Sequence, residues 1–121
     1  MSRLPFLLRT LSRWLFWPGV ILVVWGELTP NPPDLTTGFG WDKLQHFTAY
    51  FGLASMVTMI LGPKPRPSII LDIILLSGLL ELLQRLTGRD ADVLDLVANS
   101  MGAISGFTVA LLVWRLAPRM E

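Results

Sequence analysis

Cysteine is absent from this chain and histidine occurs once. The first absence excludes disulfides, thiol catalysis and thiolate metal sites, and it leaves the redox compartment open. The second excludes a poly-histidine zinc centre within one chain. Charge is scarce too: 16% of the 121 residues are Asp, Glu, Lys or Arg against 52% hydrophobic, with a formal net charge of +1. No basic tract interleaved with aromatics occurs, so nucleic acid is not an expected partner. Internal repeats and low-complexity tracts are also lacking.

What the chain has instead is apolar length. Its mean hydropathy is +0.56, and Ile69 to Leu83 is apolar nearly all the way round a helix, leaving no polar face for water. The expected class is an all-α, four-span transmembrane helical bundle. Residues 1–13 carry Arg3, Arg9 and Arg13 among leucines at three-and-four spacing, which is either a basic amphipathic lead-in lying on a membrane or the first turns of a tilted helix. A basic start followed by an apolar run is also the plan of a signal peptide, but no small-residue cleavage site follows, so an uncleaved first span is expected.

A single domain over 14–116 holds the spans, at about 14–28, 43–61, 69–86 and 92–116, with 117–121 as a short tail. Trp14, Trp17 and Trp25 flank the first span as interfacial anchors do. A Pro- and Gly-rich stretch, Thr29 to Trp41, separates it from the second, for which Asp42 is the expected N-cap and Gly62-Pro63 the stop. Ser68 is the expected cap of the third span and Gly88 its terminating glycine.

Orientation follows from the basic residues. Arg3, Arg9, Arg13, Lys64, Arg66, Arg115 and Arg119 fall on one side of this plan, and Lys43, Arg85 and Arg89 on the other. The excess places both termini in the cytoplasm. Glu27, Asp34, Asp42, Glu81, Asp90, Asp92 and Asp95 then gather toward the extracytoplasmic side.

The informative stretch is Glu81 to Gly106, where polar residues interrupt two apolar runs. Glu81, Gln84 and Arg85 share one side of the third span; Asp92, Asp95, Asn99, Gly102 and Gly106 recur at three-and-four spacing along the fourth. Helix rise puts Glu81 about 7 Å and Asn99 about 10 Å inside their helix ends. Charge at that depth is costly, so these groups are expected to face the bundle and one another. Asp42, His46 and Tyr50 form a third stripe on the second span, beside Lys43.

On chemistry, Glu81, His46 and Asp95 are the catalytic candidates, with Glu81 as a base in a desolvating site and His46 as a proton shuttle. Lys43, Gln84, Arg89, Asp92 and Asn99 are the ligand-binding candidates. A metal set of Glu81, Asp92, Asp95 and His46 has suitable donors but no diagnostic spacing, and neither metal nor cofactor is assigned. Ala98, Gly102 and Gly106 make a flat ridge on the fourth span, which packs within the bundle or against a second copy in a homodimer. The first alternative is simpler, because Asp95 and Asn99 share that face and need internal partners.

These boxes resemble a known family. Asp42-Lys43 with His46-Phe47, Glu81 with Gln84, and Arg89 with Asp92, Asp95, Asn99 and Gly102 are similar to the VanZ-like membrane proteins, over Asp42 to Gly106. The resemblance implies a multi-pass protein of a bacterial inner membrane, the cell envelope, and a theme of teicoplanin (glycopeptide antibiotic) resistance, without implying a reaction. Three functions follow as expectations. One is binding of, or action on, an anionic lipid-linked cell-wall precursor or lipoglycopeptide at an outer-leaflet polar site, where outward helix N-termini, Lys43, Arg85 and Arg89 suit a phosphate or carboxylate. Another is a structural or partner-binding module in which the same residues latch the bundle. The third, proton-linked transport, fits poorly with four spans and a cluster confined to one half. The bland readings stand beside these: Asp42 and Asp90 as helix caps, Glu81 with Arg89 as a structural ion pair, His46 as a packed core residue.

Overall fold

The computed structural model describes residues 3–28, 41–87 and 93–117, and no strand occurs among them. Four helices form: α1 (Leu4–Leu28), α2 (Trp41–Leu61), α3 (Ser68–Gln84), which a single 3-10 turn at Arg85–Thr87 prolongs, and α4 (Val93–Leu116). α1, residues Lys43–Leu61 of α2, and α4 are long and apolar enough to cross a membrane. At 17 residues α3 is shorter, so three of the four expected spans meet that length.

Helix starts and stops show how local chemistry sets these bounds. α1 is continuous from Leu4, so the basic lead-in and the apolar run share one helix; Pro18 removes one backbone donor without ending it. α2 stops where the sequence predicts, at Gly62, whose φ of +101° is open to glycine and strained for other residues. Two caps are corrected. α2 already begins at Trp41, which puts Asp42 inside its first turn. α3 begins at Ser68 and has no side-chain cap. The expected roles of Gly88 and Asp90 lie outside the described residues.

Neighbours in sequence run in opposite directions. Arg9, early in α1, meets Ile60 at the end of α2, whereas Glu27, late in α1, meets Gln84 at the end of α3. α2 and α4 are consequently parallel and lie closest together. A Cβ added to Gly102 would overlap the carbonyl oxygen of Phe47 and stand 3.0 Å from its carbonyl carbon. At Gly106 it would overlap the carbonyl oxygen of Phe51. Gly102 and Gly106 are therefore met from within the chain by the α2 backbone at Phe47 and Phe51, not by Gly52 or Gly78.

α2 is the central helix, packed mostly on α4 and next on α1. Tyr50, Ala54, Ile69, Ile73 and Ala103 form one buried cluster, and Met59, Ala110 and Trp114 form another nearer the α2 C-terminus. The outer faces are apolar as well: Leu7, Ile21, Leu75, Val93 and Met101 are all more than half exposed, as befits helices whose surroundings are hydrocarbon.

Arg9 ties three helix ends at the far end of the bundle. Its Nε donates to the Ile60 carbonyl oxygen at 2.9 Å, one of the terminal acceptors of α2 that lack a partner within the helix. Its guanidinium lies 5.9 Å from the Trp114 ring centroid, within cation–π range. Arg9→Met keeps the apolar stem and removes the donor. Unfolding in mixed detergent is expected to show a loss of about 1 kcal/mol.

Candidate functional site

The end of the bundle where α1 and α3 finish and α2 and α4 start collects the polar side chains. Alternating helix direction brings them to one level, although they come from residues as far apart as 27 and 99. Asp95 and Asn99, one helical turn apart, are buried against α2. Lys43 Nζ lies 2.5 Å from Asp95 Oδ1. The imidazole of His46 is held on both edges. Its Nε2 faces Asp95 Oδ2 at 3.5 Å and its Nδ1 faces Glu27 Oε1 at 3.2 Å. Nδ1 is also 3.1 Å from Asn99 Oδ1.

The Asn99 amide nitrogen donates to Ser77 Oγ at 2.7 Å and its oxygen lies toward His46 Nδ1. Nδ1 thus faces two acceptors, this oxygen and the Glu27 carboxylate, an arrangement that suits a hydrogen on Nδ1. Gln84 Nε2 donates to the other Glu27 oxygen, Oε2. The result is one connected set of side chains drawn from all four helices: Glu27, Lys43, His46, Ser77, Gln84, Asp95 and Asn99. Ser77, Gln84 and Asn99 are each 1% exposed. Polar groups buried so completely persist only when hydrogen-bonded. Lys43, with its side chain 31% exposed, is where the set reaches the surface.

Most of the residues expected from sequence are here. His46, Asp95, Lys43, Gln84 and Asn99 interact as one unit, and Gly102 supplies the close approach that lets α2 and α4 share it. Glu81 is half-buried on α3, one turn beyond Ser77, with one carboxylate oxygen enclosed, while the carboxylate against the histidine is that of Glu27. Ala98 is half-buried on α4 and Arg85 is exposed in the 3-10 turn. Arg89 and Asp92 lie outside the described residues. No three His, Asp or Glu side chains among the described residues are placed to hold a metal ion.

Two members are additions, Glu27 and Ser77, and Tyr50 of the α2 stripe lies beside them. Glu27 is the acid in the last turn of α1, 6% exposed; its signal is that it alone among the residues of α1 carries negative charge, inside an otherwise apolar run. Ser77 stands four residues before Glu81 on the α3 polar stripe. The Tyr50 hydroxyl is enclosed beside Ser77 and Glu27 without a hydrogen bond of ordinary geometry, and it continues the Lys43–His46 face of α2 inward.

Chemically, the arrangement is an imidazole between two carboxylates, reached from outside through a lysine. It can hold a proton and redistribute it between Glu27 and Asp95 through small side-chain movements. Fold and site together define an all-helical membrane protein with a buried polar cluster at one end of its bundle. Within that class the chain belongs to the VanZ/LLP1 family, whose family model matches residues 4–114. No curated protein and no solved structure matches it.

Proposed function

We propose that the cluster is a working site on the extracytoplasmic side of a bacterial inner membrane, engaging an anionic head group carried on a lipid or lipoglycopeptide. In this reading α3 is the fourth span. With its 3-10 turn it reaches about 31 Å at ordinary helical rises, close to the hydrocarbon thickness of a bilayer. Both termini are cytoplasmic, as the basic residues at the far end favour. Lys43 meets the head group, and His46 behind it exchanges a proton with Glu27 and Asp95. Resistance to teicoplanin is the family theme to test first.

The observation that carries this reading is the unbroken line from a partly exposed cation, Lys43, through Asp95 to a histidine enclosed by carboxylates. Such a line links surface to interior, whereas a purely structural cluster needs no opening. Lys43→Gln is expected to weaken head-group binding roughly tenfold, the worth of one charge-assisted hydrogen bond. His46→Gln should abolish any turnover while leaving binding largely intact. Teicoplanin susceptibility, binding to cell-wall lipids and the yield of folded protein are measured together. Full protection by a well-folded Lys43→Gln/His46→Gln double variant sinks the proposal.

A second reading, a structural latch, is favoured by the near-complete burial of Gln84 and Asn99 and by their bonds to other helices. It requires both substitutions to lower folded yield in step with function. Sidedness is tested separately, because the chain lacks cysteine. Single cysteines at Gly40 and Asp90, but not at Pro65, are expected to react with an impermeant maleimide in intact cells. The reverse pattern places the cluster against the cytoplasm and removes the envelope ligand.

A further inference from the structure

The opposite end of the bundle carries a groove that the polar cluster does not use. It lies between α1 and α2, has a volume of about 350 Å³, and is lined by Arg13, Phe16, Trp17, Val57, Ile60 and Leu61. Five of these are apolar and one is a cation. Trp17 and Leu61 are well exposed, so the groove opens outward to whatever surrounds the helices. The Trp17 indole is held by an edge contact with Phe16, ring centroids 5.2 Å apart.

The lining is ordered by depth. Arg13 and Leu61 stand toward the α2 C-terminus, where Gly62 ends the helix; Trp17 and Val57 lie about one turn further in, or about 6 Å. The cation is thus shallow and the aromatic floor deep. A phospholipid presents the same order, phosphate outside and acyl chain inside. Arg9, one turn before Arg13, is engaged by Ile60 and Trp114, whereas Arg13 makes no hydrogen bond or ion pair among the described residues. Arg3, Lys64, Arg66 and Arg115 share this end, and Asp72 opposes them there. The local field favours an anion.

We infer that this groove is a binding site for a diacyl phospholipid with an anionic head group, Arg13 pairing with the phosphodiester and one acyl chain lying over Phe16, Trp17 and Val57. Charge complementarity selects the occupant. An apolar groove in a bilayer accepts any acyl chain, but a shallow arginine at its mouth discriminates for net negative lipid, with its stem along the apolar wall and its head at the interface. The groove volume fits a segment of one chain, and the remainder of the lipid stays in the bilayer. This site lies at the other end of the molecule from the cluster and does not depend on its function.

The experiment is native mass spectrometry of the full-length chain released from nanodiscs containing equal phosphatidylglycerol and phosphatidylcholine. The wild-type chain is expected to retain phosphatidylglycerol preferentially. Arg13→Gln should lower that retention about five- to tenfold, consistent with one basic residue at the surface, and Arg66→Gln, outside the groove, should leave it near wild type. Val57→Trp fills the floor while keeping the cation, and it is expected to release the lipid as well; it decides the matter if Arg13→Gln does not fold. Equal retention of the two lipids overturns the inference, as does equal loss in the Arg13 and Arg66 variants. So does a dimer mass without lipid, since that would mean a second copy fills the groove.

Discussion

Gly102→Ala, the addition of a single methyl group, is expected to cost more than about 3 kcal/mol, at or beyond the upper end of ordinary overpacking penalties. The added Cβ meets the backbone of Phe47, with its Cα at 3.1 Å and its carbonyl carbon at 3.0 Å. A flexible side chain could turn aside, but a helix backbone cannot, so α2 and α4 must part. Parting them also draws Asn99 from His46 and Asp95 from Lys43, because the same seam carries those contacts. Gly102→Val should leave little folded protein. Gly52→Ala and Gly78→Ala provide the internal control, since a Cβ at either position meets nothing within 4 Å. Those two are expected to be neutral or to stabilise by up to about 1 kcal/mol through helix propensity. Unfolding in mixed detergent, followed by tryptophan fluorescence, measures the series. Equal behaviour of Gly52→Ala and Gly102→Ala would contradict the packing described.

The second large effect is expected at Glu27. Glu27→Leu removes the acceptor of both His46 Nδ1 and the Gln84 amide while leaving those groups buried. Breaking a buried charged pair from one side costs about 3–5 kcal/mol, much of it the penalty for the abandoned partner. Adding Gln84→Leu to Glu27→Leu removes the abandoned amide, while His46 keeps the Asn99 oxygen, and it should recover the share of the loss due to the unsatisfied amide, about 1–3 kcal/mol. Recovery of stability is separable from recovery of function. If Glu27 works through His46, the double variant is folded and inactive; if the cluster is only a latch, the double variant is folded and active. A double variant no more stable than Glu27→Leu alone would mean that Gln84 finds other acceptors. The hydrogen bond to Glu27 would then be incidental.

Helical periodicity made much of this legible before any coordinates. The apolar runs, the glycine stop at Gly62 and the polar stripes of α2, α3 and α4 all follow from residue spacing, and the stripes converge because alternating helices must bring the ends 43–46 and 95–99 together. The membership of Glu27 was not legible. A lone acid in the last turn of an apolar run reads equally as an interface residue or a buried one, and only the rotation of α1 about its axis decides. Ser77 was hidden for a related reason, since one hydroxyl in a leucine-rich helix has no periodic signature. The caps failed on short-range detail: Ser68 and Asp42 have the right chemistry, but α3 begins at Ser68 itself and α2 one residue before Asp42, so both residues lie inside their helices. The choice of Phe47 and Phe51 as partners of the glycine ridge depended on the register of two parallel helices, which spacing within either helix cannot fix.

The place of Glu27 in the chain also bears on how the molecule is built. A ribosome delivers α1 first, so this carboxylate enters the membrane when Gln84 is still 57 residues away and His46 has yet to emerge. Ionised acids are poorly tolerated in hydrocarbon without partners, so α1 alone is a reluctant occupant. The arrival of α2 supplies the histidine, and that of α3 the amide, each easing the position of the helix before it. Synthesis order and stabilisation order thus coincide. A chain halted before α3 keeps Glu27 without the Gln84 amide that partners it in the finished bundle.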